Sequence, residues 1–335
     1  MPKKPPEVLT ERLQEHPAFL AWSHAQSHPG KPASIEVLKC KRQSAVYRLN
    51  GVGMHGEAIV AKRCLQATGA VEHVIYTELL PRIPVQSLRC YGLVREPDSE
   101  FCWLFLDDAA GTCYVPQRTD HRTLGGCWLG EMHLAAIPPE LSMRLPDREL
   151  GYYLRLLQHC KGTLLEHMAH TWLSAEQASA FCELVTFCET LESEWHQIQT
   201  ICAVMPRTLV HGDFVAKNVR IHDSASVDAL TVFDWQYAGW GVPAADLAQL
   251  NDHVVGPDLA TYHSVLSREH RALEFEDIQR VAGCGQVFRL LHVIAWAVVG
   301  LRFGDPRASS KAVSELLVYR GRVPESCRLL EMELS

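Results

Sequence analysis

Leu209-Val210-His211-Gly212-Asp213-Phe214-Val215-Ala216-Lys217-Asn218-Val219-Arg220-Ile221 is followed downstream by Leu230-Thr231-Val232-Phe233-Asp234-Trp235. The first block reads as a short buried strand, a turn, and a second strand from Asn218 to His222. The second block reads as another short apolar strand that ends on an acid. Asp213 and Asn218 stand five residues apart across a turn, and Asp234 is reached through the turn-like His222-Asp223-Ser224-Ala225-Ser226. Pairing of the two strands as a hairpin would bring Asn218 and Asp234 to one point, with Asp213 beside them. Two carboxylates and an amide oxygen are hard ligands of the kind Mg²⁺ takes. A carboxylate left off the metal can orient a hydroxyl and accept its proton. Each of these residues taken alone reads as a turn acid or a loop cap; the three together, in this order and between apolar strands, point to phosphoryl transfer.

His211-Gly212-Asp213, then Asn218, then Asp234, resembles the aminoglycoside phosphotransferase / choline kinase-like family. The interval from Asp213 to Asn218 is also that of the protein-kinase catalytic loop. The resemblance implies that Asp213 is the catalytic base and that Asn218 and Asp234 hold the metal ions on the nucleotide. It spans roughly Ile35 to Leu250, and its motifs are specific for the superfamily but not for the acceptor.

Working outward, Ile35–Cys40, Ala45–Asn50 and Glu57–Cys64 read as a meander of three antiparallel strands. The resemblance implies that the loop Lys41-Arg42-Gln43-Ser44 folds over the nucleotide phosphates, with backbone N–H groups and Ser44 as donors. A plain surface hairpin accounts for the same residues. Lys62 closes the third strand, where a kinase-like fold places the lysine that contacts the α/β-phosphates and pairs with a glutamate on the next helix. That helix is expected over Ala70–Leu80, with Val71, Ile75 and Leu79 on one face. Glu72 is the expected partner, rather than Glu78. Val85–Val94 and Phe101–Leu106 add two strands, and Phe105-Leu106-Asp107-Asp108-Ala109 resembles the hinge whose backbone groups bind the adenine. Asp107 and Asp108 by themselves read as caps of the next segment.

Beyond the hinge the pattern turns helical. One helix is expected there over Leu124–Ala136, with His133 as a packed core residue, and long ones over Asp147–His170 and Ser174–Ile201; ahead of the sheet, one short helix is expected over Leu9–Trp22. Ser174-Ala175-Glu176-Gln177 is a capping-box pattern. Tyr237–Ala248 resembles the family's Gly-x-Pro…Asp-Leu-Ala stretch, with Asp246 placed to cap a following helix. Trp235, Tyr237 and Trp240 read as core packing or as a stacking surface. Further helices and a turn near Gly304-Asp305-Pro306 are expected after residue 257. The apolar run Val293–Leu301, close behind Arg289 and His292, is too short to span a bilayer and reads as part of a buried helix.

The chain has 335 residues, 47% hydrophobic and 21% charged, enough for two lobes with a sizeable core. A formal charge of −7 gives no basic field for nucleic acid. Twelve cysteines without metal-like spacing read as free thiols of a reducing cytoplasm. No signal peptide is visible.

The expected architecture is therefore α+β, a two-lobed protein-kinase-like fold. An N-terminal segment (1–30) precedes a nucleotide-binding lobe of antiparallel sheet with one helix (31–106). A larger, mostly helical lobe (107–335) carries catalysis and acceptor binding. The expected reaction moves the γ-phosphoryl of ATP, with GTP as an alternative donor, to a hydroxyl of a small molecule. Asp213 is catalytic, Lys62, Glu72 and Ser44 bind the nucleotide, and Asn218 and Asp234 bind Mg²⁺. The partner is a hydroxylated small molecule, with neither nucleic acid nor membrane involved. Two other readings stand beside this one: a nucleotide-binding pseudokinase scaffold, and a kinase for a protein-linked acceptor. Gln236, where many relatives carry Glu, and Lys217, displaced from the protein-kinase lysine position, are the departures; the second favours a small acceptor over a protein.

Overall fold

The structure is a computed structural model. It describes residues 5–26, 30–168, 173–222, 230–249, 253–302 and 305–329. The turn expected at Asp223–Ser226, Leu250, Gly304, and the end of the helix expected to reach His170 lie outside them. The strands in chain order are β1 (Glu7–Leu9), β2 (Ser34–Lys41), β3 (Ser44–Asn50), β4 (Ile59–Leu65), β5 (Cys90–Arg95), β6 (Phe101–Asp107), β7 (Thr112–Cys113), β8 (Asp147–Arg148), β9 (Thr208–Val210), β10 (Val219–Ile221), β11 (Leu230–Val232) and β12 (Gly239–Gly241). The helices are α1 (Pro17–Ala25), α2 (Gln66–Val74), α3 (Thr119–Leu134), α4 (Pro139–Ser142), α5 (Leu150–Met168), α6 (Ala175–Ser193), α7 (Trp195–Cys202), α8 (Leu259–Leu266), α9 (Phe275–Val298), α10 (Pro306–Arg320) and α11 (Val323–Leu329).

The chain forms two compact units. The first comprises residues 1–114, 138–144 and 217–238. Its sheet is antiparallel, in the order β1-β2-β3-β4-β6-β5. β4 shows how period-2 alternation builds two faces. Ile59 and Ala61 are buried with Ala18, Phe19 and Trp22 of α1, while Val60 and Lys62 turn to the opposite face. The sequence alone did not indicate the edge strand β1, which pairs with β2 from Glu7 to Leu9. Nor does one helix run from Leu9 to Trp22. A 3₁₀ turn occupies Leu13–Glu15, and α1 begins at Pro17, where a missing N–H costs nothing. His16 caps it by accepting from the Ala18 N–H at 3.2 Å. The sheet thus has six strands rather than five. α2 starts earlier than expected, at Gln66, and ends in a π-helical turn, Ile75–Leu79.

The same unit contains the expected hairpin: β10 pairs antiparallel with β11, Val219 opposite Val232 and Ile221 opposite Leu230, and β7 pairs on the other side of β10. Phe233 N–H donates to the Asn218 carbonyl at 3.0 Å, which ties the two site residues to the open end of the hairpin.

The second unit, residues 115–137, 145–216 and 239–335, is mostly helical, with the small sheet β8-β12-β9. Its central helix, α9, buries residues on nearly every side, so it has no amphipathic stripe to betray its length. It is long and apolar enough to cross a membrane, but 89% of its most apolar 18-residue window is buried inside the protein, as in a core helix. The capping box of α6 forms as expected, with Ser174 and Gln177 exchanging side-chain-to-backbone bonds of 3.0 and 3.2 Å. Glu194 separates α6 from α7, so the expected Ser174–Ile201 helix is two helices.

Candidate active site

In the first unit a cavity of about 340 Å³ opens over the outer face of β2–β4. Leu38, Val46, Val60, Leu88 and Leu106 make an apolar slot, and Asp107, Asp108 and Ala109 form its edge. Such a slot, with a few convergent polar groups, is the usual form of a nucleotide or cofactor site. Among the described residues neither Asp107 nor Asp108 caps a helix. Asp107 accepts from Tyr91 Oη at 2.7 Å and the Arg89 N–H at 3.1 Å, and Asp108 pairs with Arg48 at 2.8 Å. Both side chains are thus engaged in tying neighbouring strands together.

The polar end of the cavity is built around Lys62. Its Nζ lies 2.6 Å from Glu72 Oε1 and 2.5 Å from Asp234 Oδ1. Glu72 is fully buried and Lys62 nearly so. Burial works against the ammonium charge, but the two carboxylates outweigh it and hold Lys62 above the usual lysine range. Burial pushes the Glu72 carboxyl up, and Lys62 pulls it back. Glu78, the other candidate, faces away and pairs with Arg144 at 2.6 Å.

Asp234 follows β11 with φ of 68°, a left-handed conformation that Asp tolerates better than most residues. Asn218 is buried at the start of β10. Among the described residues no three His, Cys, Asp or Glu side chains cluster as a metal site. An amide and one carboxylate are too few donors for a closed protein cage. They suit Mg²⁺, which keeps waters and takes substrate phosphate oxygens as its remaining ligands.

Ser44 is placed differently from the expectation. It opens β3, opposite Lys41 and Cys64, with its hydroxyl buried, and it is not among the residues that line the cavity. The connecting loop is only Arg42-Gln43. Lys39, which sequence reasoning passed over, does line the cavity; a register shift in β2 between Val37 and Lys39 interrupts the strand's regular pairing there. Burial lowers its pKa, against the pull of Asp234. Arg220 lines the wall as well, its guanidinium 5.0 Å from the Phe233 ring centre.

In the second unit the loop after β9 carries His211, Gly212 and Asp213, all buried. Gly212 takes φ of 74°, a conformation that favours glycine. The loop is clamped by Asp246, which accepts from the His211 N–H at 2.6 Å and the Gly212 N–H at 2.8 Å. Asp246 therefore holds the loop and caps no helix; it lies within a 3₁₀ turn, Pro243–Leu247. His133 is a core residue, its Nδ1 2.8 Å from Tyr262 Oη and its Nε2 3.6 Å from Asp246. Asp213 itself receives Arg289 Nη1 of α9 at 2.6 Å. This ion pair spans 76 residues and has no local sequence signal.

Residues 129–283 match the model of the phosphotransferase enzyme family. A search of curated proteins returns no match. Among solved structures, a mutant aminoglycoside 2′-phosphotransferase in complex with GDP superposes with a TM-score of 0.61 at 15% identity, covering 87% of this chain and 92% of its own. An aminoglycoside phosphotransferase in ternary complex with streptomycin and ATP gives 0.57 at 16% identity, over 90% and 96%. An ethanolamine kinase from Plasmodium vivax gives 0.56 at 9%, over 86% and 82%. Residues 129–283 thus carry the signature of the phosphotransferase enzyme family, and the chain has the protein-kinase-like α+β fold of the aminoglycoside phosphotransferases.

Proposed function

We propose that the protein is a small-molecule kinase that transfers the γ-phosphoryl of ATP to a hydroxyl of its acceptor. The observation that carries this is the Glu72–Lys62–Asp234 chain of contacts at the polar end of an apolar cavity. Leu38, Val46, Val60, Leu88 and Leu106 hold the base, and backbone groups of residues 106–109 orient it; GTP is the alternative donor. Lys62, held by Glu72, binds the α/β-phosphates. Asn218 and Asp234 would hold Mg²⁺, which would supply positive charge against the negative charge that develops on the transferring phosphoryl group. Asp213 orients the acceptor hydroxyl and takes its proton as the new O–P bond forms. The bond from the γ-phosphorus to the bridging oxygen breaks, and that oxygen leaves with its electron pair on ADP.

The match to the phosphotransferase family and the fold shared with aminoglycoside and ethanolamine kinases support this class of reaction. Presence of Lys62, Asp213, Asn218 and Asp234 together speaks against a pseudokinase scaffold. All twelve cysteines are free thiols, which suits a protein of the reducing cytoplasm. The test is Mg²⁺-dependent ATP consumption against a panel of aminoglycosides, amino alcohols, sugars, hydroxy acids and macrolides. Stimulation by one class establishes the kinase. Nucleotide binding without turnover, together with phosphate transfer to bulk protein, would replace the small acceptor with a protein-linked one.

A further inference from the structure

Arg289 is nearly buried, with 12% of its side chain exposed, and it donates to Asp213 through Nη1. A guanidinium has five N–H donors. Besides this bond, it lies over the face of Trp296, 5.0 Å from the ring centre, and within electrostatic reach of His292 and Tyr319. Arg289, His292 and Trp296 stand at i, i+3 and i+7 on α9, one face of the helix. His292 stacks on Trp296 and meets Tyr152 Oη at 3.0 Å. Trp296 is 38% exposed, so this face reaches solvent through an aromatic plane. The surroundings of His292 include both Arg289 and Arg148, the latter lying over the Tyr152 ring at 4.5 Å.

A buried guanidinium needs an anion, and planar forked donors match a carboxylate or phosphate with two parallel bonds. Here the anion it holds is Asp213, the group that must accept a proton from the acceptor. We propose that Arg289 binds an anionic group of the acceptor, which is a hydroxylated carboxylate or phosphate ester rather than a polyamine sugar. The substrate's anion takes up donors of Arg289, Trp296 supports the acceptor's carbon frame, and Asp213 is released toward the hydroxyl. An ammonium group at this place meets a cation of like charge. The inference rests on Asp213 being the base of the phosphotransfer proposed above.

The experiment compares wild type, Arg289→Gln and Arg289→Lys under saturating MgATP. The acceptors are glycerate and glycerol 3-phosphate on one side, ethanolamine, glucosamine and kanamycin on the other. The expected result is a kcat/KM at least tenfold higher for an anionic acceptor, with glycerate against glycerol 3-phosphate telling carboxylate from phosphate. In Arg289→Gln the preference collapses, chiefly through a higher KM, and Arg289→Lys restores part of it. Faster turnover of a cationic acceptor by wild type, or an unchanged preference in Arg289→Gln, overturns the subsite while leaving the phosphotransferase intact. A chain that binds no MgATP removes both. Should no acceptor in the panel turn over, thermal shift with tartrate in saturating MgADP decides. Stabilisation of wild type and not of Arg289→Gln supports the site, and equal shifts, or none, overturn it.

Discussion

Lys62 Nζ lies 2.5 Å from Asp234 Oδ1, a contact that ties β4 to a residue 172 positions later. With Glu72 on its other side, the ammonium is shared by two carboxylates, one fully buried and one at the cavity wall. The lysine is therefore a structural tie of the first unit, and in the proposed reaction it is the cation assigned to the nucleotide phosphates.

Removing that cation has a cost in stability as well as in activity. Lys62→Met leaves Glu72 buried without a counter-charge, and breaking a buried pair from one side costs about 3–5 kcal/mol. Urea titration should show a loss of that order, and the double variant Lys62→Met/Glu72→Gln should recover much of it. A single variant as stable as wild type would show that Glu72 is not charged against Lys62.

α9 lies so close to the turn that carries Asp246 that only glycine fits. A Cβ on Gly285 would stand 1.8 Å from the Ala244 carbonyl oxygen. Gly285→Ala must push that turn away, at roughly 1–3 kcal/mol for overpacking, and with it Asp246, which holds the His211 and Gly212 amides. Thermal denaturation should show the loss of stability, and turnover should fall more than nucleotide binding. A Gly285→Ala protein with wild-type melting would place α9 farther from the turn than the structure does.

His292 sets an acid limit. It is almost wholly buried, and burial with help from Arg289 and Arg148 lowers its pKa to about 3. In the unfolded chain a histidine titrates near 6.5. The folded value is depressed, so the neutral ring contributes stability fully above about pH 6.5, and that contribution is lost as pH falls toward 3. The slope is about 1.4 kcal/mol for each pH unit in that window. Urea midpoints between pH 7 and 4 should fall steeply in wild type and less steeply in His292→Phe. Parallel slopes in the two proteins would remove His292 as the cause.

What was legible in the sequence is what local pattern controls. Short strand-like runs bounded by turn residues marked the meander of β2, β3 and β4, and Val219, Ile221, Leu230 and Val232 on either side of a turn marked the hairpin, because such runs and turn residues are local properties. Lys62 and Glu72 could be chosen by order along the chain. β1 stayed hidden because a three-residue edge strand draws its identity from its neighbour. α9 was read only near its end, from the apolar run Val293–Leu301, and its start stayed undefined because a helix buried on nearly all sides has no period to read. Lys39 reaches the cavity wall beside a register shift in β2, and Ser44 opens β3 off that wall; neither shows in composition. The Arg289–Asp213 pair and the Asp246 clamp join residues 76 and about 35 positions apart, and only tertiary structure brings them together.

The central claim is that Asp213 accepts the proton of an acceptor hydroxyl during phosphoryl transfer. It is tested most directly by single-turnover γ-phosphoryl transfer from radiolabelled MgATP, comparing wild type with Asp213→Asn, and by nucleotide affinity of both. Loss of the general base should slow transfer by about 10²–10⁴-fold, with nucleotide affinity unchanged within a few fold because Lys62, Asn218 and Asp234 remain. Transfer at the wild-type rate by Asp213→Asn would contradict the account.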